Sequence, residues 1–257
     1  MATSGAGMPP FAVLLEAMRD LLALVLPRTC PGCEAPDVSL CRRCASMLTG
    51  PAQRCEELTV FLAVDEQMPA LGLPVWSLGP YAGPVQRVVL AWKSGGRPDL
   101  DRPLAALVAR GVTGLAEELV GAAAAEPALV VVPAPSGWRR RWRRRLVALT
   151  LARAVGDSLA RASGRPVWVA DLLRRRGGSG HALGARGRRR ATGEAVRCLG
   201  PVPPGTPCLL VDDVVTTGAT LDAARTSLER AGARVLGAVV LAATPAPGQD
   251  TAPPRLS

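Results

Sequence analysis

Lysine and histidine are almost absent from this sequence. Lys93 and His181 are the only residues of their types, so arginine supplies 30 of the 31 basic residues. The chain is also rich in alanine, glycine and proline, which indicates a coding bias toward arginine. The net charge of +10 is therefore weaker evidence about binding partners than its size suggests. It still favours anionic partners such as phosphates or nucleic acid. His181 has no partner visible in the sequence and is predicted to be a loop residue.

Long apolar runs are also missing. No stretch reaches the roughly 20 uninterrupted apolar residues that a bilayer span requires. The most apolar early stretch, from Phe11 to Leu26, contains Glu16, Arg19 and Asp20 and has no basic residues before it, unlike a signal peptide. We therefore expect a cytoplasmic protein, in which closely spaced cysteines favour metal binding over disulfides.

A third absence concerns nucleotide hydrolysis. The phosphate loop of nucleoside triphosphatases is glycine-rich and ends in Gly-Lys-Ser or Gly-Lys-Thr. Lys93 is followed by Ser94 but preceded by Trp92, and the chain has no other lysine. This class of enzyme is excluded.

Four regions can be distinguished along the chain. Residues 1–28 contain an amphipathic helix that ends at Pro27, and residues 29–58 form a cysteine module. Residues 74–244 alternate apolar strands with helices, and the Pro-rich, polar residues 245–257 are predicted to be disordered.

The alternating region predicts one α/β domain. We predict strands at 75–78, 128–132, 167–170, 208–211 and 234–241, and helices at 85–92, 104–122, 146–162 and 219–231. The Arg/Gly-rich stretch 174–190 is predicted to be mainly loop. Apolar strands separated by helices indicate a parallel sheet with helices on both faces.

The cysteine module contains two Cys-x-x-Cys pairs separated by seven residues: Cys30, Cys33, Cys41 and Cys44. Two tight turns that each present two thiolates are typical of a tetrahedral zinc site. All four positions would be filled by sulfur, so the site is predicted to be structural and not catalytic. A redox pair or a chance spacing is the alternative. The module has few large apolar residues, so it needs a cross-link such as a bound metal ion to fold.

The most informative stretch runs from Cys208 to Thr220. An apolar strand reaches Asp212 and Asp213, and a Thr/Gly loop then opens a helix. Carboxylates at the carboxyl end of a strand lie in the crevice of an open α/β sheet and can accept hydrogen bonds from a diol. The amides of the first helical turn favour a phosphate. An ordinary strand, turn and capped helix is the alternative.

This stretch resembles the phosphoribosyl pyrophosphate motif of type I phosphoribosyltransferases. The resemblance implies that Asp212 and Asp213 contact the ribose hydroxyls. It also implies that the 5-phosphate is surrounded by Thr216, Thr217, Gly218, Ala219 and Thr220, and that Val214 and Val215 belong to the same substrate-binding segment.

Together with the cysteine module, the motif resembles the ComF family, named for a competence protein of bacterial DNA uptake. The segments Tyr81–Lys93 and Val132–Pro135 resemble further family motifs. The resemblance implies a type I phosphoribosyltransferase-like fold, a Mg²⁺ ion bound with phosphoribosyl pyrophosphate, and a structural Zn²⁺. It places Pro133, Ala134 and Pro135 near the pyrophosphate. Candidate cations for the leaving group are Lys93 and some of Arg139, Arg140, Arg141, Arg144 and Arg145. A solvated surface lysine is the other interpretation of Lys93.

The chain departs from the family pattern at three places: Leu146 to Ala148, His181 and Ala191. These positions would hold the leaving group or the acceptor, so they bear on turnover and not on phosphoribosyl binding.

An alternative function is that of a non-catalytic accessory protein of DNA uptake or processing. In that case the basic run Trp138–Arg145 would bind single-stranded DNA, or the protein would bind a helicase-like partner. A solvated helix start with inward-facing tryptophans is the other interpretation of this run.

Overall fold

The computed structural model describes residues 28–56, 73–94, 96–135, 147–175 and 196–245. The predicted helix from Phe11 to Leu26, the run Trp138–Arg145, His181 and Ala191 lie outside the described residues, as does the tail after Pro245.

Eight strands lie in the described part of the chain: β1 Gln53–Arg54, β2 Val75–Ser77, β3 Leu129–Pro133, β4 Val167–Val169, β5 Leu173–Arg175, β6 Val196–Cys198, β7 Pro207–Val215 and β8 Arg234–Ala243. Six of them form one sheet in the order β1-β2-β8-β7-β3-β4. All neighbouring pairs in this sheet are parallel except the edge pair β1–β2. β5 and β6 form a separate antiparallel pair. The predicted α/β class with a mainly parallel sheet is confirmed.

The helices in the same residues are α1 Arg42–Ser46, α2 Gly83–Lys93, α3 Asp101–Gly111, α4 Ala116–Ala122, α5 Val147–Ser163 and α6 Ala219–Arg230, with 3-10 turns at Pro98–Leu100 and Thr113–Leu115. None of these helices has the length and hydrophobicity to span a bilayer.

The single helix predicted at 104–122 is wrong, because the structure has two helices there. Gly111 ends α3 where the chain meets its neighbours closely. Its carbonyl accepts a hydrogen bond from the Ala52 N–H at 2.9 Å. A Cβ at this position would lie 3.0 Å from Cγ of Leu78. The 3-10 turn then changes the direction of the chain before α4 begins.

Alternate residues of the central strand β7 pack into two different cores. Leu209 and Val211 belong to the cluster on one face of the sheet. Cys208 and Leu210 belong to the cluster on the other face. The side chains of β7 therefore alternate between two buried faces, which agrees with the prediction that helices cover both faces of the sheet.

The strand predicted at 208–211 is longer than expected. β7 continues to Val215 because β8 also continues to Ala243, and the ladder between them pairs Asp212 with Val240 and Val215 with Ala243. The two acidic residues therefore lie inside the strand. Likewise, Arg174 and Arg175, which were predicted to be loop, belong to β5, where they pair with β6.

The order of the strands creates a switch point between β3 and β7. From β3 the chain passes through α5 to β4 on one side, whereas β7 and β8 lie on the other side of β3. Open α/β sheets bind ligands at the carboxyl ends of the strands that flank such a reversal. The carboxyl ends of β3 and β7, which carry Pro133 and Asp212, thus form the crevice where a ligand is expected.

The contact between β2 and β8 offers a test of the packing. A Cβ at Gly237 would lie 2.4 Å from the ring of buried Trp76 and 3.0 Å from the Pro74 carbonyl oxygen. We expect Gly237→Ala to lower the free energy of unfolding by about 1–3 kcal/mol, because the ring or the strand must shift. Urea denaturation measures this difference.

Gly121→Ala is the matched control. Gly121 lies in α4, and no atom lies within 4 Å of the position that a Cβ would take there, so alanine should stabilise the protein by about 0.4–1 kcal/mol. Equal effects of the two substitutions would contradict the packing described here.

Candidate functional site

A cavity of about 270 Å³ lies at the switch point. Its lining comes from several parts of the fold: Tyr81, Lys93, Ala134, Pro135, Val147, Ala148, Arg175, Asp212, Asp213, Val214, Thr216 and Thr220. The end of β3, the end of α2 and the acidic part of β7 thus meet at one place, although they lie far apart in the sequence.

The two acidic residues of β7 differ in their surroundings. Asp213 is only 4% exposed, and its Oδ1 lies 2.8 Å from Nζ of Lys93. The N–H of Asp213 donates a hydrogen bond to Oδ1 of Asp212 at 2.8 Å. Burial, and next the charge of Asp213, raise the pKa of Asp212 above its ordinary value, although this hydrogen bond and Lys93 act in the opposite direction. A cation that bound at Asp212 would lower this pKa and displace the proton that the raised pKa retains.

Gly218 shapes the start of α6. Its φ of 76° lies in the left-handed region, which glycine adopts without strain. Its carbonyl accepts the first helical hydrogen bond, from the Asp222 N–H at 2.9 Å. A small pocket lined by Asp212 and by residues 214–221 lies beside this turn. The amides of a helix's first turn have no helical partner, and together with the helix dipole they favour a phosphate.

Two residues that line the cavity, Arg175 and Tyr81, were not predicted to have a role at the site. Arg175, at the end of β5, donates from Nη2 to Oγ1 of Thr220 at 3.2 Å. It stands in a run of arginines, so nothing in the sequence separates it from its neighbours. The N–H of Tyr81 donates to the Ala243 carbonyl at 2.6 Å, which fixes this segment to the end of β8. Tyr81 begins the segment Tyr81–Lys93 that resembles a family motif, but the sequence predicted no role for its side chain.

The loop after β3 also approaches the cavity. The Ala134 N–H donates to the carbonyl of Val211 at 2.8 Å, and Ala134 and Pro135 line the cavity, whereas Pro133 does not. Val215, Thr217, Gly218 and Ala219 line the small pocket. The predicted arginines lie outside the described residues: Arg139, Arg140, Arg141, Arg144 and Arg145.

The four cysteines of the module converge. The sulfur atoms of Cys30, Cys33, Cys41 and Cys44 all lie within 4.8 Å of one another. Sγ of Cys33 and Sγ of Cys41 are 3.3 Å apart, and the Cys44 N–H points to Sγ of Cys41 at 3.4 Å. A tetrahedral zinc ion with bonds of about 2.3 Å separates its sulfurs by roughly 3.8 Å. The four thiols therefore fit a zinc ion after small shifts.

Comparison with protein families places the motif in a known context. Residues 183–255 match the family model of the phosphoribosyl transferase domain. The matched stretch contains Asp212, Asp213 and the turn at Gly218. The comparison with curated proteins found no match.

The solved structures that match this chain include phosphoribosyltransferases of low sequence identity. A hypoxanthine phosphoribosyl transferase from Trypanosoma cruzi is 15% identical, with 56% of this chain and 66% of that chain covered and a TM-score of 0.36. An adenine phosphoribosyltransferase from Rhodothermus marinus is 18% identical, with 78% and 86% covered and a TM-score of 0.30. A hypoxanthine phosphoribosyltransferase from Staphylococcus aureus is 16% identical, with 56% and 69% covered and a TM-score of 0.31.

The cysteine cluster predicts a defined metal content. We expect the purified protein to hold one zinc ion per chain, which a chromophoric chelator detects after the thiols are blocked. Cys44→Ser should remove most of the metal, because an all-sulfur tetrahedral site loses one of its four ligands. Cys198→Ser is the control, since Cys198 lies in β6 outside the cluster. Unchanged zinc in Cys44→Ser would contradict the site.

Proposed function

We propose that the protein binds phosphoribosyl pyrophosphate together with Mg²⁺ and transfers the phosphoribosyl group to a base or an amine. The observation that carries the proposal is the meeting of Asp212 and Asp213 with the glycine-opened start of α6 in one cavity at the switch point. The match of residues 183–255 to the phosphoribosyl transferase domain supports it.

In this proposal the start of α6 binds the 5-phosphate. Backbone amides from Thr217 to Thr220 donate to the phosphate oxygens, and threonine hydroxyls add further donors. Gly218 removes the Cβ that would keep the anion away from the backbone. Arg175, already in contact with Thr220, adds a positive charge at the same place.

The ribose then lies over the two carboxylates of β7. Asp212 is the more accessible of the two, whereas Asp213 is buried and held by Lys93. Carboxylate oxygens accept hydrogen bonds from the vicinal hydroxyls of the sugar. They are also the donors that Mg²⁺ prefers when it binds together with substrate phosphates. The donor set of this cavity therefore fits the ion, and Asp212 and Asp213 are the residues that would hold it through the ribose.

The leaving pyrophosphate lies toward the loop after β3. The bond from C1 of the ribose to a pyrophosphate oxygen breaks with its electron pair on the oxygen, and the acceptor nitrogen forms the new bond and loses a proton. Bound Mg²⁺ supplies charge stabilisation for the departing pyrophosphate. In this arrangement Lys93 holds the Asp213 carboxylate in position, and Ala134 and Pro135 form the wall beside the leaving group.

We also assign the protein to the ComF type, with a role in DNA uptake. The support is the combination in one chain of a four-cysteine cluster and, after it, the sheet that carries the phosphoribosyl motif. Binding of single-stranded DNA or of a helicase-like partner stays a prediction from the sequence. The run Trp138–Arg145 on which it depends lies outside the described residues.

Ligand binding is the direct test. Calorimetry of the wild type with phosphoribosyl pyrophosphate and Mg²⁺ should give a saturable heat. Combined Asp212→Asn and Asp213→Asn should weaken binding at least tenfold, because the hydrogen bonds from the ribose hydroxyls to charged acceptors are lost. Asp157→Asn is the matched control, since Asp157 is an exposed residue of α5 that does not line the cavity. No heat from the wild type, or equal heats from all variants, would refute the proposal.

The raised pKa of Asp212 adds a pH dependence. Because the bound state needs the ionised carboxylate, affinity should rise with pH until Asp212 is fully deprotonated, and binding should release protons below that point. Calorimetry in two buffers with different ionisation enthalpies measures the protons released. The Asp212→Asn variant is the control, because protons that the phosphate groups of the ligand release contribute equally to both measurements. Equal proton release by both proteins would contradict the assignment of Asp212.

A further inference from the structure

Helix α2 connects the cysteine cluster with the cavity. Its first half packs against the loop that contains Cys30 and Cys33, and its last residue, Lys93, pairs with Asp213. The two sites therefore share one rigid element.

Gly32 forms the contact between the cysteine loop and α2. A Cβ on Gly32 would lie 2.6 Å from Sγ of Cys44, 3.1 Å from Cγ2 of Val88 and 3.2 Å from the Pro84 carbonyl oxygen. The backbone of this loop is thus enclosed between a metal-ligand sulfur and the helix. Arg87 adds a bond, because its Nε donates to the Gly32 carbonyl at 3.0 Å and its Nη2 donates to the same oxygen.

A second arginine, Arg97, follows Lys93 in the sequence and also binds the cysteine module. Nη1 of Arg97 donates to the Thr29 carbonyl at 2.8 Å, next to Cys30. Its Nη2 donates to the Ser39 carbonyl at 3.4 Å and lies 2.7 Å from Oδ2 of Asp99. Hydrogen bonding to Arg97 lowers the pKa of Asp99 to about 2, so this pair stays charged across the neutral range.

Lys93 thus lies between two points of attachment. Arg87 is six residues before it on the same helix, roughly 9 Å along the axis. Beside Lys93, the Trp92 side chain is fully buried, and its indole N–H donates to Oδ1 of Asp101 at 2.5 Å. A helix held in this way moves as a unit, so a shift of the cysteine loop reaches the Lys93 ammonium and the Asp213 carboxylate.

We propose that the metal centre at the four cysteines controls the phosphoribosyl site through α2, with Arg87 as the positioning residue. Bound metal fixes the loop that carries Gly32, this loop holds α2 through Arg87, and α2 holds Lys93 against Asp213. Loss of the metal, or of Arg87, frees Lys93 from Asp213 and weakens the binding of the sugar phosphate. The last step rests on the proposed function, whereas the contact between Lys93 and Asp213 does not.

The scarcity of lysine provides a direct measurement of this contact. Lys93 is the only lysine, so acetylation of its peptide by an amine reagent, followed by mass spectrometry, reports on a single side chain. In the metal-loaded protein the ammonium is paired and the rate should be low. Arg87→Ala, or removal of the metal by a chelator, should raise the rate about fivefold, the change expected when a partly buried ion pair opens.

Arg110→Ala is the charge-matched control, since Arg110 is an exposed arginine of α3 with no contact to the cysteine module among the described residues. Its labelling rate should equal that of the wild type. Arg87→Gln, which keeps an N–H donor for the Gly32 carbonyl without adding a second amine, should restore part of the protection. If Arg87→Ala proves unstable, Arg97→Gln gives a second weakening of the same attachment. A wild-type rate in the metal-free protein and in both arginine variants would overturn the proposal.

A double-mutant cycle tests whether the effect passes through Lys93. Arg87→Ala should weaken the binding of phosphoribosyl pyrophosphate with Mg²⁺ several-fold while the protein keeps its zinc. In a Lys93→Met background the same substitution should have no further effect, because coupled residues are not additive. Additive losses would overturn the route through Lys93. If the wild type binds no ligand, the proposed function fails, and the acetylation rates alone decide the inference.

Discussion

The buried carboxylate of Asp213 is the constraint on which the site depends. A charge that is removed from water at the end of a central strand is costly unless a partner of opposite sign reaches it. In this chain the partner is Lys93, which comes from a helix 120 residues earlier in the sequence and lies 2.8 Å away. Helix α2, which is packed into the core by Val88 and Trp92, brings Lys93 to this carboxylate, and the pairing contributes to the shape of the cavity.

The same pairing gives the two neighbouring acids different properties. Asp213 has its counter-charge within the protein, whereas Asp212 faces the cavity and carries the raised pKa. Two adjacent carboxylates of one strand thus differ: Asp213 is buried and paired with Lys93, whereas Asp212 is more accessible and has a raised pKa. The start of α6 lies nearby, so two carboxylates and the first-turn amides of a helix meet at one small crevice.

Much of this arrangement could be predicted from the sequence, because local patterns carry it. The alternation of apolar strands and helices indicated the parallel sheet, and the spacing of the four cysteines predicted their convergence. Long-range contacts were not predictable. The pairing of Lys93 with Asp213, the contact of Arg175 with Thr220 and the break at Gly111 all depend on segments that only the fold brings together. The end of β7 was placed too early because the length of β8 decides it.

The short strand β1 has a consequence for how the chain could be divided. It lies at the end of the cysteine module and covers the outer edge of β2, as the only antiparallel neighbour among the described strands of the sheet, with the Arg54 guanidinium 5.4 Å from the ring of Trp76. A chain that began after residue 56 would leave β2 with unpaired backbone groups along its edge, which invite strands from other molecules. In the intact chain β1 pairs with this edge, so the end of the cysteine module covers backbone groups of β2 that another strand could otherwise approach.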